Sequence, residues 1–217
     1  MNPSHKTSSL YVFLLFILLS CNNITESKNT LLNSERIEQK FGSYGIDIVQ
    51  SDNLSRVSFL YSLDLDNKNK KNYHTLAIVK FKETRQVSII HEKILNGGSI
   101  GKSFKKEGWE IDKTNHQMMV ISNPDKLLFK SWLPQISDEN LTLHFYELNV
   151  KTENYYYLYA EILEIHHPKY LGFNDLTEVY NLDEETQNNE KLLSMLNFIL
   201  NSKSALDEAL FLIHKNL

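Results

Sequence analysis

Gly97-Gly98-Ser99-Ile100-Gly101-Lys102-Ser103 is the segment whose residue types come nearest to ligand chemistry. Its Gly-Lys-Ser ending has the form of a phosphate-binding loop. Such a loop also needs a glycine five positions before its Gly-Lys, so that backbone N–H groups can wrap the phosphates, and Asn96 stands there. The residues before it carry a helical period, not that of the buried strand a phosphate loop follows. Four of the seven glycines, Gly97, Gly98, Gly101 and Gly108, fall within 12 residues, which fits a tight turn between two helices that requires φ > 0. The same concentration suits close approach to a ligand. Ser99, the amides around Gly101 and the Lys102 ammonium would then hold a small anion at a helix N-terminus.

Two other groupings carry reactive residue types. Hydrolysis needs a serine beside a histidine that a carboxylate holds; His91 precedes Ser99 by eight positions and Glu92 adjoins it. Gly97-Gly98-Ser99-Ile100-Gly101 has the Gly-x-Ser-x-Gly spacing, but a helical period precedes it where a nucleophile elbow needs a strand, and eight histidines are dispersed through the chain. Glu161, Glu164, His166 and His167 are metal-ligand types. Within one strand only Glu164 and His166 share a face, while Glu161 and His167 lie roughly 20 Å apart at ~3.3 Å per residue. Two ligands do not make a site, and no His-Glu-x-x-His or EF-hand spacing is present. The expectation is therefore a solvated strand edge, with no metal and no cofactor, that His166-His167-Pro168 brings to an end. Tyr155, Tyr157 and Tyr159 share a strand face, with Tyr146 on the partner strand. Such ladders stabilise sheets through cross-strand pairs, and an uncovered one is a candidate surface for a protein or glycan partner.

The chain has 217 residues, of which 41% are hydrophobic, with seven glycines and four prolines, as expected of one globular domain. Lys+Arg number 23 against 27 Asp+Glu, and the net charge of -4 disfavours a nucleic-acid partner. The single cysteine, Cys21, excludes an intrachain disulfide and a Cys-rich zinc site.

The N-terminal residues read as a processing signal. Met1 to Ser9 is polar, with Lys6 and the amino terminus supplying positive charge. Leu10 to Leu19 is an unbroken apolar run that as a helix spans about 15 Å, half of what a bilayer core requires. It ends in Leu18-Leu19-Ser20-Cys21, which resembles the lipobox of bacterial lipoproteins: an aliphatic residue, a tolerant position, a small residue, and the cysteine whose sulfur takes the lipid. Leu19 is bulkier than the family's usual residue there. The resemblance implies cleavage before Cys21, so that residues 1–20 are a signal peptide, and acylation of Cys21 that anchors the mature chain to a membrane. Residues 21–33 would form a lipidated tether, in which Asn22 to Asn33 has a relaxed span of about 20 Å for 12 residues, and residues 34–217 a single domain. Asn22 in place of Asp after the cysteine favours, by the family's sorting habit, the outer membrane of a cell that has one; the leaflet face stays open. Phe41-Gly42-Ser43-Tyr44-Gly45, the Gly-Gly-Ser-Ile-Gly turn and Gly108-Trp109 together faintly resemble an uncharacterised bacterial family, with which no activity comes.

The elements that must position these residues follow from periodicity. Asn33 or Ser34 caps a short helix carrying Ile37 and Phe41 and closed by Gly42. Ile46 and Ile48 begin a strand. Val57 to Leu65 alternates and, with Tyr73 to Phe81, makes a hairpin whose polar tip spans Asp66 to Asn72. Val87, Ile90 and Ile94 mark a helix, and Ser99 caps a further turn with Ile100 and Phe104. Trp109 to Asp112 and Gln117 to Ile121 read as a second hairpin, followed by the apolar segment Leu127 to Leu133. Leu141 to Val150 and Tyr155 to Ile165 read as a third hairpin around Thr152-Glu153-Asn154. Leu192, Met195, Leu196 and Ile199 line one C-terminal helix, and Leu206, Ala209, Leu210 and Ile213 a second. The fold class is α+β: a largely antiparallel sheet built from hairpins, helices covering one side, and a C-terminal helical pair. The functional expectation is a membrane-anchored envelope lipoprotein with a non-enzymatic binding or interaction domain that meets an envelope protein or a glycan. The alternative is an envelope hydrolase or small-anion binder working through His91 to Lys102.

Overall fold

In a computed structural model of the chain, the described residues are 31–121, 140–182 and 189–201. They form a six-stranded antiparallel sheet and five helices, an α+β arrangement. The elements run α1 (Asn33–Phe41), β1 (Gly45–Ser51), β2 (Ser55–Leu63), β3 (Lys71–Phe81), a 3-10 turn (Arg85–Val87), α2 (Ser88–Leu95), α3 (Ile100–Lys106), β4 (Glu110–Ile121), β5 (Leu141–Lys151), β6 (Tyr156–His166), α4 (Phe173–Tyr180) and α5 (Glu190–Asn201). The sheet order is β1-β2-β3-β6-β5-β4. Two three-stranded meanders, β1-β2-β3 and β4-β5-β6, therefore join where β3 pairs with β6. None of the described helices is long and apolar enough to cross a membrane.

The central strands are buried on both faces, and helices cover both, in contrast to the one-sided cover expected. On one face Leu192 and Met195 of α5 pack on Phe59, Ile78, Leu143, Phe145, Leu163 and Ile165. On the other, α2 and α3 cover Val79, Tyr146, Leu148 and Ile162 with Ile90, Ile94 and Phe104. Beside them Ile37 of α1 and Leu176 and Tyr180 of α4 cover Leu60, Ala77 and Met118. The second C-terminal helix, Ile199 as a side chain, the Leu127 to Leu133 segment and the residues up to Cys21 lie outside the described residues.

Several local expectations need correction. Leu32, not Asn33 or Ser34, occupies the N-cap of α1, where its N–H donates to Glu35 Oε2 at 2.8 Å; Asn33 is thereby turned inward. Trp109 to Ile121 is not a hairpin. Asn115 adopts φ +52°, which an asparagine tolerates, so the chain bulges at the polar Thr114 to His116 and continues as β4, paired with β5 on both sides of the bulge. Helix α4 carries Leu176 and Tyr180 at i, i+4, a spacing too short to stand out between two polar stretches.

Bulges also interrupt β3 at His74 and β6 at Tyr159. The second decides which side chains meet. From Tyr157 a strict period of two would send 159, 161, 163 and 165 to the helix-rich face. The extra residue lets Tyr159 keep that face and then transfers it to Ala160, Ile162, Glu164 and His166, so that His144 lies directly opposite Glu164.

Because Leu192 is fully buried and its neighbour Leu193 is 45% exposed, Leu192→Ala is expected to lower stability by about 2–5 kcal/mol and Leu193→Ala by less than about 0.5 kcal/mol, read by urea denaturation.

Candidate functional site

Between the two apolar patches of the helix-rich face runs a buried polar strip. Its side chains come from β3 (Thr75), β4 (Lys113, His116), β5 (His144, Tyr146), β6 (Glu164, His166), α1 (Asn33, Arg36), α4 (Tyr180), and Tyr170 in the connection after β6. His144, Glu164 and His166 are all buried. The solvated-edge reading of Glu164 and His166 is thus overturned: β6 is an inner strand, flanked by β3 and β5.

Asn33 organises this strip. Its Nδ2 donates to Glu164 Oε1 at 3.0 Å and to Thr75 Oγ1 at 3.3 Å, and its Oδ1 accepts from the Tyr170 hydroxyl. Thr75 Oγ1 lies 3.0 Å from His166 Nδ1. On the other side His116 Nε2 is 3.1 Å from the Lys113 carbonyl and its Nδ1 is 2.9 Å from His144 Nε2. The two rings stack at 5.2 Å with 7° between their planes, and Tyr180 packs against both. Lys113 Nζ donates to the Tyr180 hydroxyl at 3.2 Å and sits 4.5 Å from the Tyr146 ring centre.

Burial holds these histidines neutral. It pushes the His144 pKa well below its ordinary value, helped by His116, His166 and the cations Lys113 and Arg36. It likewise pushes His166 down to about 4, against the opposing pull of Glu164, and His116 down to about 4. Burial and the Glu164 carboxylate raise the Tyr146 hydroxyl well above its ordinary value, so it stays protonated.

A cavity of about 60 Å³ adjoins the strip. Asn33, Ser34, Tyr44, Arg56, Ser99, Lys113, Tyr146 and Glu164 line it among apolar side chains such as Leu60, Val79 and Ile162. The space holds a few waters or a group of a few heavy atoms. Arg56 is buried: one guanidinium nitrogen donates to the carbonyls of Ile94 and Gly98 at 3.0 and 2.8 Å, while its Nε has no hydrogen-bond partner. The glycine turn is what brings those carbonyls round. Gly97 sits at φ +104°, and a Cβ on Gly98 would come within 2.7 Å of the Lys93 carbonyl oxygen.

The residues singled out by sequence therefore separate. Ser99 and Gly101 line the cavity, Ser99 donating to Ser34 Oγ at 3.3 Å. Lys102 instead pairs with Glu38 at the surface. His91 is buried, with Nδ1 2.8 Å from the Tyr159 hydroxyl; it and Ser99 bond to different partners. The tyrosine face also divides. Tyr159 is fully buried, whereas Tyr155 is 54% exposed and Tyr155 and Tyr157 pack on Trp109. As an interaction surface the three do not act together. His144, His116, Asn33 and Tyr180 were not foreseen. For His144 the signal was Thr142, His144 and Tyr146 alternating with Leu141, Leu143 and Phe145 in β5; the other three had none in their own segments.

Compared with known proteins, the chain matches no family model, no curated protein and no solved structure. The chemistry must be read from the strip and the cavity beside it: neutral imidazoles in the strip, and one buried carboxylate and two cations, Glu164, Arg56 and Lys113, at the cavity, a set suited to holding a charged ligand.

A neutral buried histidine also makes stability depend on pH. His74, stacked on Phe41 at 3.9 Å, has its pKa pushed down to about 4 by burial and then by His167 and Lys40. As pH falls through 6.5 the unfolded histidine takes up a proton that the folded one refuses, so stability falls. His74 is expected to account for about 2 kcal/mol of loss between pH 7 and pH 5. Urea unfolding of His74→Gln should show that much less pH dependence than the parent chain.

Proposed function

We propose that the protein is an exported, lipid-anchored component of a bacterial cell envelope whose domain is a binding module for a small anion. The lipid anchor rests on the Leu-Leu-Ser-Cys arrangement ending at Cys21, the chain's only cysteine, after an apolar run too short to span a bilayer. Outer-membrane attachment, in a cell that has that membrane, rests on Asn22 alone. Binding rests on the cavity.

The observation that carries it is Arg56. A guanidinium buried beside a cavity, with an Nε–H that has no partner, calls for an acceptor, and Lys113, which also lines the cavity, adds a second cation. Hydroxyls of Ser34, Ser99 and Tyr44 add donors for a carboxylate or an inorganic oxyanion, the two cations offset the Glu164 carboxylate in the same lining, and the volume limits the ligand to a few heavy atoms. This keeps Ser99 and Gly101 from the earlier anion reading and replaces Lys102 with Arg56 and Lys113. A hydrolase is disfavoured because His91 turns to Tyr159 and Ser99 to Ser34. A partner surface is reduced to Tyr155, Tyr157 and Trp109.

Cys21→Ala should move the protein from the membrane to the soluble fraction or leave it unprocessed; equal labelling of mutant and parent by a fatty-acid analogue would end the anchor reading. For the cavity, acetate and phosphate at constant ionic strength are expected to raise the unfolding midpoint of the full-length chain in detergent. At ten times Kd the gain is about 1.4 kcal/mol, and Lys113→Gln should lose most of it. Equal stabilisation by chloride would count against a specific site.

A further inference from the structure

His144 and Glu164 are direct cross-strand partners, and His166 follows Glu164 by two positions on the same face, opposite Thr75 of β3. The three side chains converge from two neighbouring strands, with one ligand-type atom from each lying within 4.8 Å of the others. His144 Nδ1 is 3.9 Å from Glu164 Oε2, and His166 Nε2 is 3.7 Å from the same oxygen. Both separations are too long for hydrogen bonds. Both nitrogens are buried and have no hydrogen-bond partner.

The proton positions sharpen this. The Lys113 carbonyl can only accept, so His116 Nε2 carries the hydrogen. Neutral His116 then offers a lone pair at Nδ1, and its 2.9 Å contact makes His144 Nε2 the donor. His144 Nδ1 is left with a bare lone pair directed at a carboxylate oxygen. Two electron-rich atoms buried face to face are unfavourable unless positive charge or a donor lies between them.

We propose that His144 Nδ1, Glu164 Oε2 and His166 Nε2 form a binding site for a divalent first-row transition-metal ion, of which zinc is the best-fitting member. Ligands at about 2.1 Å from a tetrahedral zinc lie about 3.4 Å apart, so each nitrogen closes on the carboxylate oxygen by a few tenths of an ångström, and the two nitrogens, within 4.8 Å of each other, draw together by a side-chain adjustment. Two imidazoles and one carboxylate suit zinc; calcium and magnesium would ask for more oxygens. Each ligand is also held from behind. His144 donates into the His116–Lys113 carbonyl chain, His166 Nδ1 meets Thr75 Oγ1, and Glu164 Oε1 accepts from Asn33. Three protein ligands leave a fourth position for a water or another small ligand, and Glu164 also lines the neighbouring cavity. With Lys113 and Arg36 close by, that position favours an anion. The site stands on its own geometry, whatever fills the cavity.

The test uses the full-length chain in detergent, freed of metal by chelator dialysis and titrated with zinc chloride by calorimetry, with bound metal counted by elemental mass spectrometry. One equivalent at sub-micromolar Kd is expected, with at least tenfold weaker binding in Glu164→Gln and in His166→Gln and no change in His74→Gln. Substituting cobalt into the unmutated chain should produce the strong visible bands of four-coordinate N,N,O ligation, a readout that stands even if the variants do not fold. Substoichiometric zinc, or binding that survives both ligand substitutions, would overturn the site, as would a cobalt spectrum of the hydrated ion. Zinc binding retained in Lys113→Gln, with the anion response lost or never present, upholds the metal site and bears only on the anion reading.

Discussion

A carboxylate inside a protein must be met by donors or by positive charge, and Glu164 sits in the middle of the sheet with neither within its own strand. The arrangement of the helix-rich face follows from that requirement. Asn33 of α1 reaches Glu164 and Thr75 together and is itself held by Tyr170, which ties the first helix and the connection after β6 to one point on the sheet. Helix α1 therefore docks through a polar anchor flanked by apolar contacts, with Ile37 fully buried beside it. Such an anchor fixes position more sharply than apolar packing does, because hydrogen bonds tolerate little sliding.

The sheet supplies the rest by breaking its own alternation. Bulges at His74, Asn115 and Tyr159 fall in three different strands, and each alters which residues face α1 and α4. The His74 bulge places His74 against Phe41 while Thr75 keeps its place beside His166. The Asn115 bulge delivers His116 onto His144. The Tyr159 bulge exchanges Leu163 for Glu164 opposite His144. An unbulged sheet would bury leucine where the strip now lies. These three bulges and a buried charge meet at one place in the fold, which supports the binding proposed there.

The glycine turn acquires a different meaning in this setting. It makes no direct use of Lys102, and its contribution is the path it imposes: Gly97 and Gly98 fold the chain back so that carbonyls of Ile94 and Gly98 grip Arg56 and hold its guanidinium at the cavity wall. Ser99 and Gly101, which follow the turn, line the same cavity.

By itself the sequence determined the element types of most strands, the first three helices, the turns at Gly42, Gly97 and Gly108, and the antiparallel α+β class, because hydrophobic period and turn chemistry are local properties. It also made Cys21 the place to expect a lipid. It showed Glu164 and His166 on one face, since two residues apart in a strand is also local. The third member, His144, was decided only by tertiary structure. Counting outward from Thr152-Glu153-Asn154-Tyr155 with plain alternation pairs His144 with Leu163; the extra residue at Tyr159 makes the partner Glu164, and a bulge leaves no mark in hydrophobic period. Likewise, nothing local says that Asn33 turns inward instead of capping its helix, or that a meander formed by β4, β5 and β6 will dock beside β3 and bury what looked like a solvated edge. Those outcomes depend on long-range burial, which a single chain's pattern encodes only through the sum of its contacts.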